Sequence, residues 1–191
     1  MKPIDQINTW SANAVTELSD NLFDRFTLVS ATTSLVLMNA SPASTRQGAQ
    51  LTAVDTNSVG PQVPSNEDWA LHGLGVQYQG VALRTSAGMQ LILDFLRQTL
   101  FNIEINGQAP VFVGCLGDFF GPSLFAHQPA ATQNDYSGAA LGQFFGFRKF
   151  NVPIPLQNKT TWQMNMFPSS AAGIDGDKVK LIFDRQRFRN S

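Results

Sequence analysis

The chain has 191 residues, enough for one domain that buries about 70% of its unfolded surface without help from a metal or a disulfide. Its 13 basic and 14 acidic residues leave a net charge of −1, which argues against wrapping nucleic acid by bulk electrostatics, and the single cysteine, Cys115, excludes an intrachain disulfide. Only 14% of residues are charged, against roughly a quarter in an average domain, so much of the surface is uncharged or covered by neighbours, which favours an assembled protein.

In chain order, residues 1–24 carry Ile4, Ile7, Trp10, Ala14, Leu18 and Leu22 every three or four positions, a helical stripe that starts near Pro3 or Asp5. The stripe is too sparse to stand alone in water. It is expected to pack on its own domain or to reach a neighbour as an arm, with Ile4, Ile7, Trp10 and Leu18 as interface candidates. The N-terminus lacks the apolar core of a signal peptide, and the longest apolar runs fall far short of a membrane span. Synthesis in a reducing cytosol fits these features.

The domain proper is expected over 25–191. Phe26–Ala40 reads as one strand or a short pair, and 41–66 as a long loop of the functional or interface kind. Trp69–Gln79 reads as a strand whose Gly73 and Gly75 mark a bulge or a close approach of backbones. Thr85 or Ser86 caps a helix with the stripe Met89, Ile92, Leu93 and Leu96. Phe101, Ile103 and Ile105 then alternate with Asn102, Glu104 and Asn106, the pattern of a sheet packed on one side and wet on the other. Asn106-Gly107 is a turn signal. Val111–Phe120 is apolar, and 121–142 is a second long loop. Strands follow at 143–156, 161–167 and 178–187. Pro153 and Pro155 cannot donate to a ladder, which puts one side of their strand at an edge.

Chemistry is sparse. His72 and His127 lack metal-spaced partners, and a cupin-type enzyme would need several clustered His and a Glu. No nucleophile elbow, P-loop or dinucleotide fingerprint occurs. Asp118, beside Phe119 and Phe120, reads as a turn carboxylate or as one shifted by an apolar wall, and Asp175 and Asp177 read as a plain turn. Cys115, among Val113, Gly114, Leu116 and Gly117, reads as a small buried filler. The phenylalanines Phe119, Phe120, Phe125, Phe144, Phe145, Phe147 and Phe150 read as core between two sheets, with some as interface anchors; Phe125 and Tyr136 join the interface candidates. Arg185, Arg187 and Arg189 read as a solvated strand face or as a contact for phosphate or an acidic partner. Trp69, Tyr78 and Tyr136 are the candidates for a glycan or receptor platform.

The strand count, the helix before the Phe101 strand, and the segments Phe101–Gly107 and Phe150–Leu156 together resemble the viral single jelly-roll capsid proteins. The resemblance spans about residues 25–187 and implies a mainly β, antiparallel, eight-stranded jelly-roll sandwich with one or two short helices and an N-terminal arm. It further implies a non-enzymatic virion protein, bacteriophage being the expected source, made in the host cytoplasm and assembling into an icosahedral shell. Its partners would be copies of itself and other virion proteins, with a weak genome contact through Arg185, Arg187 and Arg189. No cofactor and no small-molecule substrate are expected. The alternative is a carbohydrate- or receptor-binding jelly roll, the head of a spike or fibre.

Overall fold

The computed structural model describes residues 3–80, 86–119, 143–168 and 173–189. Among the described residues the protein is mainly β. It has ten strands, two α-helices and a one-turn 3-10 helix at Leu116–Phe119. Helix α1 (Pro3–Asn13) leads directly into β1 (Thr16–Thr27). There follow β2 (Leu35–Leu37), the small hairpin β3 (Thr45–Arg46) and β4 (Ala49–Gln50), and β5 (Glu67–Gln79). Helix α2 (Ser86–Gln98) precedes β6 (Leu100–Ile105) and β7 (Phe112–Cys115). The chain closes with β8 (Gln143–Leu156), β9 (Trp162–Phe167) and β10 (Lys178–Arg189).

Eight of these strands form two antiparallel four-stranded sheets, in the orders β1-β10-β5-β8 and β2-β9-β6-β7. Leaving the β3–β4 hairpin aside, the pairs are nested. The first strand pairs with the last (β1 with β10), the second with the next to last (β2 with β9), then β5 with β8 and β6 with β7. Period-2 alternation turns one side of each strand inward. Leu22 and Phe26 of β1, Val179, Leu181 and Phe183 of β10, and Leu74, Val76 and Tyr78 of β5 thereby meet Phe101, Ile103, Met164 and Met166 of the other sheet in one buried cluster. Ile92, Leu93, Phe95 and Leu96 of α2 belong to the same cluster, so the helical stripe predicted there packs on the core.

The N-terminal segment departs from expectation. Only its first half is helical: Ile7 is buried against Ala70 and Phe188, and the Trp10 ring lies 6.1 Å from that of Phe188. The helical stripe predicted through Leu22 breaks at Ala14, and Leu18 and Leu22 belong to β1. Four-residue spacing satisfies both a helix face and a strand face. The β10 partner decides, because Thr16 through Thr27 find ladder bonds all along it.

The loop at 41–66 is pinned down. Asp24 is fully buried on β1, and Arg46 clasps its two oxygens at 2.6 and 2.7 Å while the Met38 N–H donates to it at 2.7 Å. Nearby, Arg25 donates to Asp55 at 2.6 Å, and Asn57 bonds the β1 backbone at Phe23 N–H and Asn21 C=O, both at 2.7 Å. Part of the β1 edge is thereby covered, a common way of blunting an exposed strand edge. The Asn106-Gly107 turn is as predicted: φ is 54° and 65° at the two residues, the left-handed pair of a type I′ turn. Strand β8 is an edge strand, as its two prolines require.

Candidate interaction surfaces

The arginines predicted to meet phosphate are engaged within the fold. Arg185 is buried beneath the surface of β10, donates to both oxygens of Asp20 at 2.8 and 2.9 Å, and stacks its guanidinium 4.4 Å from the Trp69 ring centre. Arg187 reaches Asp20 at 2.8 Å and Glu67 at 3.4 Å, and Arg189 reaches Glu67 at 2.8 Å. Burial alone would raise the Glu67 carboxyl. A hydrogen bond from the Trp69 indole N–H and the two arginines outweigh it and hold the group below the usual carboxylate range. Two carboxylates thus serve three cations, and the 45% exposed Arg189 is the one that reaches furthest into solvent. The partners that make this network, Asp20 and Glu67, sit on β1 and β5, far from the arginines in sequence.

Two of the aromatic platform candidates are core. Trp69 is 1% exposed, and Tyr78 is fully buried with its hydroxyl donating to Asp177 at 2.7 Å. Burial and that carboxylate push the Tyr78 phenol far up. A Cβ on Gly80 would fall inside the Asp177 carboxylate, so the latch depends on that glycine. Tyr136, Phe125, Phe120 and His127 lie outside the described residues. His72 contacts the Gln186 amide oxygen at 2.8 Å, and among the described residues no three His, Cys, Asp or Glu side chains are grouped to hold a metal. Asp175 accepts from the Ser30 N–H at 2.6 Å and Asp118 from the Cys115 N–H at 3.2 Å, both turn roles. Burial raises the Cys115 thiol, which donates to the backbone oxygens of Leu96 and Arg97 at 3.1 and 2.8 Å.

What remains exposed is broad and weakly charged. On the N-terminal segment, Ile4 is 47% exposed and Leu18 36%, while Ile7 is buried and Trp10 half-buried. Across the outer face of the second sheet, Val36, Asn165, Asn102 and Val113 stand side by side in register, next to the pair Phe167 and Leu100. Asn165 donates to Asn102 at 3.0 Å, and Gln163 bridges Asn165 and Glu104 at 3.0 and 3.3 Å. This ladder of amides is satisfied internally. The apolar side chains around it, from Val36 at 37% to Val113 at 66% exposure, have no cover among the described residues. Glu104 is the one charged group in these rows.

A further surface opens where the edge strands β7 and β8 face each other. The β5–β8 register jumps there: Gly73 opposes Lys149 while Leu71 opposes Ile154, so Phe150 to Pro153 bulge with only His72 across from them. Phe150 is thereby aimed at Phe112 of the other sheet, with ring centres 5.1 Å apart. A groove of about 390 Å³ results, lined by Phe112, Phe119, Arg148, Lys149, Phe150 and Asn151 among others. The predicted close approach at Gly73 is also present: a Cβ there would lie 2.6 Å from the Phe147 ring.

Among the described residues no helix is long and apolar enough to cross a membrane. No family model and no curated protein matches this chain.

Proposed function

We propose that the protein is a non-enzymatic structural component of a virion, a single jelly roll that is made in the host cytoplasm and assembles with copies of itself and with other virion proteins into an icosahedral shell. The observation that carries this reading is the nested pairing of β1 with β10, β2 with β9, β5 with β8 and β6 with β7, which is the order of a long antiparallel ribbon rolled on itself. The added hairpin β3–β4 sits in the loop that the Asp24–Arg46 pair clamps to β1.

The mechanism is geometric. A rigid two-sheet body holds its insertions in fixed positions, and many weak contacts, repeated by symmetry, sum to a stable shell. The outer face of the second sheet supports such a role. It exposes Val36, Leu100, Val113 and Phe167 around an amide ladder with a single charge, so a neighbour can cover it at little cost in desolvation.

Light scattering of the purified chain over a wide concentration range tests this. Concentration-dependent growth beyond the monomer is expected, and the double variant Leu100→Lys/Val113→Lys should remain monomeric with an unchanged melting temperature. A wild-type protein that stays monomeric throughout, and binds no other shell protein, would sink the proposal.

A further inference from the structure

We propose that the groove between β7 and β8 binds single-stranded nucleic acid, taking a base against Phe112 and Phe150 and the adjoining phosphates on Arg148 and Lys149. Three observations converge. The first concerns charge. Arg185 and Arg187 are committed to Asp20 and Glu67, whereas among the described residues neither Arg148 nor Lys149 has an ion-pair partner. Arg148 stands opposite buried Leu74, on the side of β8 that faces the other sheet, yet it is exposed because β8 is an edge strand. Arg148 is therefore open to a ligand in the groove, and Lys149, which opposes Gly73 and so projects from the other side of the strand, is exposed at the groove's rim.

The second observation is the aromatic floor. The Phe150–Phe112 contact continues inward through Phe101, 5.6 Å from Phe112 and stacked on it at 25°, so the two groove rings are braced from the core. Both are half-buried, which leaves part of each available for stacking. The third is the bulge itself. It inserts Phe150 to Pro153 opposite a single residue, and such insertions commonly re-aim side chains beside binding sites.

Flat apolar rings next to unpaired cations suit a base joined to a phosphate. An acidic peptide would meet the same cations, but it brings nothing flat for the rings. Asp118 is the one acidic group lining the groove. Asp118 and Asn151 supply an acceptor and a two-way hydrogen-bonding amide for base edges. The contact is local, which reconciles it with a net charge of −1. It goes beyond shell assembly and is tested separately from it.

The experiment is fluorescence anisotropy with a labelled oligothymidylate of about 20 nucleotides, a duplex of equal length, and a polyglutamate peptide as competitor. The expected result is preferential binding of the single strand. Arg148→Ala/Lys149→Ala should weaken it about tenfold and lower the salt slope by about 1.4, the value for two lost contacts to a single strand. Phe150→Leu should weaken it about fivefold, as loss of one stacked base does. Both cations are exposed, so the double-alanine variant should melt and scatter light like the wild type. No binding at low salt, equal binding by the double-alanine variant, or displacement by polyglutamate at equal concentration would each overturn the proposal, the last in favour of an acidic-peptide groove.

Discussion

Asp24 and Asp55 sit one loop apart, and each accepts from an arginine at 2.6 Å, yet their surroundings give them different weights. The Asp24 carboxylate is fully buried and its partner Arg46 is 8% exposed; the Arg25–Asp55 pair is about one-fifth exposed on each side. Removing one member of a buried pair strands the other charge and costs about 3–5 kcal/mol, whereas a solvated pair contributes about 0–1 kcal/mol. Asp24→Ala is therefore expected to lower unfolding stability by about 3–5 kcal/mol in urea titrations, and Asp55→Ala, which also gives up the hydrogen bonds from the Thr52 N–H and hydroxyl, by about 1–2 kcal/mol. Equal losses would show that the 41–66 loop is not clamped as described. Neither pair was legible in the sequence, because ion pairing across 22 or 30 residues leaves no periodic trace. The same holds at the C-terminus. The run Arg185, Arg187, Arg189 reads as a free basic patch until β1 and β5 bring Asp20 and Glu67 beside it.

At the scale of elements, strong alternation or strong helical spacing was readable. The helix over Ser86–Gln98, the strand before Asn106-Gly107, the edge character of the Pro153–Pro155 strand and the irregularity at Gly73 all follow from local patterns. β1 was missed because Leu18 and Leu22 fit two periods at once, and only its pairing with β10 selects the strand. The β1 contacts also bring a pH dependence. The Thr52 hydroxyl, with Arg25 adding, holds the Asp55 carboxyl down to about 2, and Glu67 is also held below its ordinary value. A depressed carboxyl stabilises the fold fully above its unfolded value near 4 and loses that contribution as pH falls through the folded value. Stability should thus fall between about pH 4 and pH 2. Asp55→Asn should give a shallower decline over that window in denaturant midpoints taken at successive pH values. An identical slope would remove the Asp55 contribution.

For the whole molecule, the nested pairing ties the first strand to the last, so Thr16 faces Arg189 across nearly the full chain. From Trp69 onward the strand positions were visible in the sequence, and the two-sided core with them. Which strands pair was not, because alternation specifies a face and says nothing of the neighbour. The candidate groove was hidden for the same reason: Phe112 and Phe150 lie on different sheets and meet only through the bulge in β8. On the proposed reading, shape and repeated surface contacts do the work of this protein, with no reactive group. Negative-stain electron microscopy of the purified chain, alone and with extracts of its native source, tests that most directly. Closed particles of uniform diameter containing this chain are the predicted result; isolated monomers under every condition, with the chain missing from particles in the source, would contradict it.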